Sequence, residues 1–273
     1  MVKIIASLLL SCATLFALSI DEKIKSFIGK EKFYIQKNLI HILFEQQSQY
    51  YLDANQTHDL KILQTLKENG LLKLFHNTPV QMRLHFETSS DKALIFMRAI
   101  NESLEALGYS YFLSEEIQKN DAYFSWSIAL ETEHLVDPIL FAKELAAKGC
   151  NIIEIAREQE LHWRYKIDSA NIHIQAEVFP SHSTINLKKP IKDYWIDVSG
   201  MKSISLQSRL ADRWYPNIVM YDNNLKMLHF YRYDTQQNTL KFTIPDTVKY
   251  IKIGDTFTLE NIKRGLSVYL VNR

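Results

Sequence analysis

Apolar and polar residues alternate most regularly between residues 80 and 178. Every second residue from 80 to 87 is apolar, which is the period of a strand that buries one face. Apolar residues then recur at helical spacing over 94–107, and an Asp-Pro start and a closing glycine predict a second helix over 137–149. With the strands between and after these helices, the pattern predicts the order strand, helix, strand, strand, helix, strand.

The predicted order is that of a ferredoxin-like split βαββαβ unit, whose helices cover one face of an antiparallel sheet. We expect its second and third strands at residues 109–113 and 122–130, joined by a polar connection at 114–120. The fourth strand is predicted at residues 150–155, as a buried strand. The sequence therefore predicts an α+β core over residues 79–179.

A β-hairpin is predicted to extend this core over residues 161–178. Around a two-residue turn, the register pairs Tyr165 with Ile174 and matches the other apolar residues in the same way. The same register turns His162 and His173 toward water, each opposite a charged residue. We therefore expect both histidines to be surface residues that bind no metal.

The first nineteen residues have the pattern of a secretory signal. Lys3 precedes an apolar run over residues 4–18, and small residues come shortly before Ile20. Because a membrane span needs about 20 apolar residues, we expect cleavage before Ile20. An uncleaved N-terminal membrane anchor is the main alternative, and a lipoprotein acylated at Cys12 is a weaker one.

Residues 20–78 are predicted to be helical. The first predicted helix spans residues 30–52, and the second spans 58–69 and ends at Gly70. The mostly apolar stripe of the first helix consists of Ile35, Leu39, Ile42, Leu43, Gln46 and Tyr50. Such helices can form a small domain, a layer on the core or a partner-binding surface. The width of the stripes favours a layer that covers the protein's own core.

The composition changes after residue 179. Prolines and polar residues predict a linker over residues 180–192. Seven short strand-like runs follow, at 194–198, 203–206, 217–221, 225–233, 239–244, 248–253 and 266–271. Runs at this spacing predict an all-β, sandwich-like domain over residues 193–273.

Composition narrows the class of protein but not its activity. The formal net charge is +1, so the chain as a whole has no electrostatic attraction for nucleic acid. Seven glycines among 273 residues argue against phosphate-binding loops. If residues 1–19 are removed, Cys150 is the single remaining cysteine and an internal disulfide is excluded. We interpret it as a small buried hydrophobic residue.

The sequence has none of the common catalytic or metal-binding motifs, so we expect no enzyme, no cofactor and no metal. The densest polar group is Glu131, Glu133 and His134, which could supply metal ligands or an acid/base pair. A solvated connection between a strand and a helix explains it better, because no second histidine has a fixed spacing to it. An enzyme of unfamiliar motif would require a pocket where titratable side chains converge.

Aromatic residues in the last third of the chain form the candidate ligand site. Their rings could stack on the apolar face of a sugar, although core packing is the simpler explanation. The candidate residues are Trp195, Trp214, Tyr215, Tyr221, Tyr231 and Tyr233. Because neighbouring residues of a strand face opposite ways, these aromatics cannot all be buried on one side.

Residues 124–128, the helix that begins at Asp137-Pro138, and residues 149–155 resemble the periplasmic ferredoxin-like domains of inner-membrane assembly subunits in type II secretion and type IV pilus machines. The glycine-poor composition, rich in Lys, Ile and Tyr, resembles uncharacterised periplasmic proteins of Campylobacter-type bacteria. The first resemblance covers about a third of the chain and implies action by assembly rather than by catalysis.

We therefore predict a non-enzymatic envelope protein, exported to the periplasm or secreted, that acts through protein contacts as an assembly or scaffold component. Its expected partners are envelope proteins, with no nucleic acid, and with membrane contact only if the N-terminal segment is retained. The alternative is a protein that binds a glycan or peptidoglycan through the aromatic residues of its C-terminal domain.

Overall fold

The computed structural model describes residues 19–53, 56–89 and 91–273 as a mixed α+β fold made mostly of strands. Its α-helices are α1 (Ile20–Ile28), α2 (Lys30–Ile35), α3 (Lys37–Leu43), α4 (Asp59–Glu68), α5 (Ala93–Ala106) and α6 (Pro138–Ala146), with short 3-10 helices at Gln47–Tyr50 and Leu259–Ile262. No helix in this part of the chain has both the length and the hydrophobicity that crossing a bilayer requires. The predicted signal segment, residues 1–19, lies outside the described residues except for Ser19.

The strands form two groups along the chain. The first group is β1 (Tyr51–Asp53), β2 (Gln56–Thr57), β3 (Phe75–Thr88), β4 (Leu113–Lys119), β5 (Phe124–His134), β6 (Asn151–Gln159) and β7 (His162–Asp168). The second group is β8 (Glu177–Val178), β9 (Thr184–Asn186), β10 (Tyr194–Asp197), β11 (Met201–Ser208), β12 (Pro216–Tyr221), β13 (Met227–Arg232), β14 (Thr239–Thr243), β15 (Tyr250–Asp255) and β16 (Leu266–Asn272). β1 and β2 pair with each other, and the remaining strands build larger sheets.

The first large sheet has the order β4, β5, β3, β7, β6. Its central strand β3 runs antiparallel to β5 and parallel to β7, so Phe86 has both Trp126 and Tyr165 as register partners. Helix α6 covers this face, and the ring of Phe141 lies 5.7 Å from that of Phe86. The predicted alternation over residues 80–87 is confirmed, because alternate residues of β3 are buried.

The predicted hairpin over residues 161–178 is wrong. β7 pairs with the preceding strand β6, so Tyr165 lies opposite Ile155 rather than Ile174. β7 enters the sheet between β3 and β6, whereas β8 pairs with β10 in a different sheet. Both pairings satisfy the apolar alternation. The observed one gives β7 hydrogen-bonded neighbours on both edges, which an outer hairpin strand would lack.

The predicted polar connection at residues 114–120 is also wrong, because most of it is strand β4. β4 lies at the edge of the sheet, where it pairs with β5 and every one of its residues is exposed. A strand that is solvated on both faces needs no alternation, so periodicity could not reveal it. A β-bulge between Ser114 and Glu116 interrupts its register and makes this edge a poor template for further strands.

Helices α1 to α4 pack onto the first sheet and share one buried cluster with it. Asp59 at the start of α4 holds this layer in place. Its carboxylate forms a buried ion pair with Lys23 of α1 at 2.9 Å, and it accepts the backbone N–H of Ile155 on β6 at 2.7 Å. Residues 20–78 thus contain a packing layer, together with the small β1–β2 pair that periodicity did not predict.

The other two large sheets enclose a second buried cluster and form the C-terminal sandwich. One sheet has the order β13, β12, β15, β10, β8, and the other has the order β14, β11, β16, β9. The core contains Ile251 and Ile253 from the first of these sheets and Ile204 and Leu206 from the second. Each of the seven predicted strands is present in one of the two sheets.

The prediction of a linker over residues 180–192 is wrong for the middle of that range, because this part belongs to the sandwich. Thr184–Asn186 is strand β9, which pairs with β16, and Leu187 is buried in the second cluster. Gly265 lies so close to this segment that a Cβ atom there would meet the Leu187 carbonyl oxygen at 2.0 Å. A strand of three residues is too short to produce a recognisable alternation.

The sandwich also contacts the first sheet and the helices packed on it, which together we call the first unit. Leu225, in the turn between β12 and β13, packs against the first buried cluster. It has φ 62°, a left-handed conformation that is uncommon for a residue with a bulky side chain. The guanidinium of Arg98 on α5 lies 3.6 Å from the centroid of the Trp195 ring on β10. One side of the sandwich is therefore occupied by the first unit.

Candidate functional site

Three of the six aromatic residues predicted to bind a ligand are engaged within the fold. Trp214 is in the core of the sandwich, where its indole N–H donates to the Gly254 carbonyl at 2.9 Å. Trp195 is stacked on Tyr221, with 5.1 Å between ring centroids, and its ring is covered by Arg98. These contacts explain the three rings by packing alone.

The other three predicted aromatic residues are divided between two places. Tyr231 lies on the edge strand β13 and packs against Phe242, with 4.8 Å between ring centroids. Tyr215 meets the ring of Phe257 edge to face at 5.0 Å. Tyr233 follows β13, and its backbone N–H donates to Pro216, the residue after Tyr215. Tyr215 and Tyr233 share one loop end of the sandwich, where Trp214 is buried, so the set is not a continuous platform.

The polar residues that the sequence singled out do not converge. His162 lies at the start of β7, half-buried, whereas His173 lies beyond the sheet with its Nδ1 atom 3.2 Å from the Asn171 carbonyl oxygen. The polar group at the end of β5 is exposed and consists of Glu131, Glu133 and His134. Within residues 19–53, 56–89 and 91–273, no three His, Cys, Asp or Glu side chains are grouped so as to hold a metal ion.

The face of the first sheet that the helices leave open carries a group that the sequence reasoning missed. The His85 Nδ1 atom is 2.7 Å from the Ser127 hydroxyl oxygen, and its Nε2 atom is 3.3 Å from a Glu87 carboxylate oxygen. Arg164 lies 3.3 Å from the same carboxylate. Residues 85 and 127 are register partners, and residues 85 and 87 share a face. The group lines an open depression of about 500 Å³.

This group has the elements of a serine nucleophile with a base and a carboxylate. If His85 donates its Nε2–H to Glu87, its Nδ1 lone pair can accept the Ser127 proton. Two features oppose catalysis. Glu87 is shared with Arg164, and Ser127 lies within β5, whose backbone pairs with β3 and β4. Stabilisation of an oxyanion would therefore depend on side chains such as Arg83 rather than on backbone N–H groups.

Helices α2 and α3 are apolar on two opposite faces. The face that packs on the core contains Phe33, Ile40 and Phe44. The opposite face, which we call the N-terminal stripe, consists of Tyr34, Ile35, Leu39 and Ile42, which are 63%, 71%, 37% and 71% exposed. The prediction that Ile35, Leu39 and Ile42 cover the core is therefore wrong. Positions 33, 40 and 44 also follow a helical spacing, and they are the ones that reach the core.

The N-terminal stripe has the spacing of a helix-binding surface. Positions 35, 39 and 42 follow the i, i+4, i+7 pattern by which one helix contacts another. Exposed Lys30 and Lys37 lie on the same two helices. Single exposed apolar residues are common on protein surfaces, but a contiguous group is typical of an interaction site.

Cys150 is buried where the chain passes from α6 to β6. Burial raises the pKa of its thiol from 9.0 to about 11, and the nearby Asp168 carboxylate adds to the effect. A thiol that stays protonated at neutral pH is a poor nucleophile and a poor metal ligand. The burial expected for this residue is confirmed.

Two candidate sites remain, the N-terminal stripe and the Ser127–His85–Glu87 group. Comparisons of the chain with protein-family models, with curated proteins and with solved structures found no match. The choice between the two sites therefore rests on their geometry and chemistry.

Proposed function

We propose that this protein is an exported envelope protein that binds another protein through its N-terminal stripe and acts as an assembly or scaffold component. The observation that carries the proposal is the exposure of Tyr34, Ile35 and Ile42 together on helices that are anchored to the core. Leaving several large apolar side chains in water forgoes the free energy of their burial, which a partner's surface would recover.

The chemistry of the stripe favours a helical partner. Its apolar positions at 35, 39 and 42 match the spacing of a second amphipathic helix. The stripe is also held in place from below, because Phe33 and Ile40 of the same helices are buried. A preformed surface binds with less loss of conformational entropy than one that must order on binding.

We interpret the first sheet as a ferredoxin-like split unit into which β7 has been inserted between the first and fourth strands. This interpretation supports an assembly role by analogy with the secretion and pilus subunits that the core sequence resembles. The resemblance concerns the sheet and its two helices, whereas the binding surface proposed here lies on the preceding helices.

The proposal places the mature protein in the periplasm after removal of residues 1–19. N-terminal sequencing of the protein recovered from the periplasmic fraction should begin at Ile20. An intact N-terminus found in the membrane fraction would replace the periplasmic location by an anchored one, without affecting the proposed role of the stripe.

Photo-crosslinking in cells tests the binding surface. A photoreactive amino acid at Ile42 should give an adduct with one protein partner, and the adduct should disappear when Ile35 is replaced by Lys. The matched control is the same probe at Leu140 on α6, which is also exposed but lies outside the stripe. The absence of an adduct from Ile42, or equal adducts from both positions, would contradict the proposal.

Hydrolysis of an ester or amide bond is a second candidate function, favoured by the 2.7 Å contact between Ser127 and His85. If Ser127 is an activated nucleophile, a fluorophosphonate probe should label it, and Ser127→Ala should abolish the labelling. Ser125→Ala is the control, because that serine is buried on the same strand. Absence of labelling in the wild-type protein would remove this candidate.

Glycan binding through the C-terminal aromatic residues has less geometric support than either candidate. Tyr215 and Tyr233 are two predicted residues that share an end of the sandwich, and both are half-buried. Retention on cell-wall polymer that is lost in Tyr215→Ala would revive this alternative.

A further inference from the structure

One end of the C-terminal sandwich carries three loops with exposed apolar residues. These loops join β9 to β10, β11 to β12, and β15 to β16, and the antiparallel registers place them at the same end. Ile191, Leu210 and Phe257 in these loops are 98%, 97% and 62% exposed. At such exposure the first two side chains contact almost nothing in their own chain.

Ion pairs tie the three loops to one another. Lys189 of the first loop pairs with Glu260 of the third at 2.8 Å. Buried Asp212 of the second loop pairs with Arg264 of the third at 2.6 Å. The bases of the three loops are therefore in contact with one another.

The same loops carry cations that are not held in ion pairs. Five basic residues form no ion pair with the described residues, namely Lys188, Lys192, Arg209, Arg213 and Lys263. The acidic residues of these loops have partners, since Asp193 pairs with Lys252, Asp212 with Arg264 and Glu260 with Lys189. We call these five cations and the three apolar tips the basic end.

We propose that the basic end docks on an anionic lipid bilayer. In this arrangement Ile191, Leu210 and Phe257 enter the boundary between headgroups and acyl chains, and the unpaired cations lie against lipid phosphates. Apolar side chains surrounded by Lys and Arg are the combination that binds peripheral proteins to anionic membranes.

The shape of the basic end favours a lipid surface over a protein partner. A specific protein interface is a continuous patch of about 800 Å² on each partner, with a depleted content of charge at its centre. Here the apolar residues are single tips on separate loops, with cations between them. A fluid bilayer can deform around such tips and supply a phosphate to each cation.

The proposed contact is independent of residues 1–18 and of the N-terminal stripe. The turn that carries Leu225, which packs against the first unit, lies at the other end of β12 from the loops of the basic end. Arg98 of the first unit also contacts Trp195 near the start of β10, but Ile191, Leu210 and Phe257 stay exposed in the presence of the first unit.

The test is the emission of an environment-sensitive NBD fluorophore attached at position 191 or 210 of the full chain, with Cys12 replaced by Ser. Cys150 is buried and does not compete for the label under native conditions. A local readout is needed because residues 4–18 are themselves apolar and could bring the chain to vesicles. On phosphatidylglycerol-rich vesicles both positions should show blue-shifted, stronger emission, whereas a label at exposed Lys241 should not.

Charge variants distinguish binding through the basic end from nonspecific electrostatic binding of the whole protein to the vesicle. Each basic residue near an anionic surface strengthens binding about fivefold, so Lys188→Gln, Lys192→Gln and Arg209→Gln together should weaken it about a hundredfold. The control carries the same change in charge at exposed Lys202, Lys226 and Lys241, and it should bind like the wild-type protein.

Three outcomes would overturn the proposal. The first is unchanged emission at position 191 on the anionic vesicles, and the second is an equal response on pure phosphatidylcholine. The third is a response to soluble polyglutamate but not to vesicles, which would assign the basic end to an acidic protein.

Discussion

The N-terminal stripe and the basic end both expose large apolar side chains, but they arrange them differently. Ile35 ends α2 and Ile42 lies on α3, seven residues further along the same apolar spacing. Ile191 and Leu210 of the basic end lie on separate loops with cations around them. The contrast shows that exposure by itself does not identify a partner. The continuity of the apolar surface and the charge beside it decide between a protein helix and a lipid surface.

The two surfaces also depend on different kinds of support. Buried Asp59 is paired with buried Lys23 beneath the N-terminal helices, whereas buried Asp212 is paired with an Arg264 side chain that is about half exposed. Removing one member of a fully buried pair leaves an unpaired charge away from water, while an exposed arginine can be solvated. The N-terminal layer should therefore be the more sensitive of the two to loss of its carboxylate.

The largest effect is expected from Asp59→Ala. This change removes the partner of Lys23 and the acceptor of the Ile155 N–H, so it should lower the free energy of unfolding by about 3–5 kcal/mol. Urea denaturation measures the difference. Glu22→Ala is the control, because its ion pair with Lys25 is at the surface, and its denaturation midpoint should match that of the wild-type protein. A similar, small shift for both variants would contradict the support assigned to Asp59.

The two faces of α3 provide the next comparison. Ile40 is buried and Ile42 is exposed, although both have the same side chain on the same helix. Ile40→Ala should cost about 2–5 kcal/mol through lost burial and a cavity, and Ile42→Ala should cost less than about 0.5 kcal/mol. Thermal melts of the two variants check the assignment, and equal losses would mean that the stripe is covered within the protein's own fold.

Alkaline pH should lower the free energy of unfolding of the first unit, because the buried Cys150 thiol resists ionisation. Its thiol pKa is raised from 9.0 to about 11 in the folded chain, so the unfolded chain releases this proton at lower pH. Stability should then fall as pH rises from 9 to 11, by up to about 2–3 kcal/mol from this group. The measurement is urea denaturation across that range, with Cys150→Ala as the control that should show a shallower fall. Parallel curves for the two proteins would show that the thiol does not contribute.

The stability of the sandwich should also fall at alkaline pH, but at higher pH than that of the first unit. Burial raises the pKa of Tyr194 to about 12, and the carboxylates of Glu177 and Asp212 act in the same direction. Because this hydroxyl also donates to the Lys188 carbonyl, its ionisation would remove a contact at the base of the first loop of the basic end. The separation in pH between the two regions follows from the different ordinary values of a thiol and a phenol.

The smallest effect on stability is expected at the basic end. Ile191→Asp and Leu210→Asp should each change the free energy of unfolding by less than about 0.5 kcal/mol, because neither side chain contributes to a core. Each change should nevertheless reduce the emission response to anionic vesicles of a label at the other of these two positions. Substantial destabilisation in thermal melts would mean that these side chains pack inside the protein. That result would contradict the proposed contact with lipid.

Local patterns in the sequence predicted the secondary structure well where one face of an element is buried. The alternation in β3 and the seven strands of the sandwich were predictable because a strand between water and a core must alternate. The edge strand β4 and the three-residue β9 were not predictable, since neither has a buried face long enough to leave a pattern.

The candidate sites were less predictable than the fold. His85 and Ser127 are 42 residues apart in sequence, and only the register between β3 and β5 brings them to 2.7 Å. The aromatic residues predicted to bind a ligand do not form one surface. Trp214 is buried in the core, and Trp195 is covered by Arg98 of the first unit. Residue type marked these rings as large and apolar, but it carried no information about which face they occupy.

By itself the sequence determined the mixed α+β class, the strand-rich last third and the amphipathic helices, because each follows from a local hydrophobic period. The tertiary structure decided which strand pairs with β7 and which apolar face of α2 and α3 meets the core. Two pairings satisfied the alternation of Trp163 and Tyr165, and two helical faces were apolar. In both cases the local patterns were equivalent, and the choice was made by packing and hydrogen bonding between residues distant in sequence.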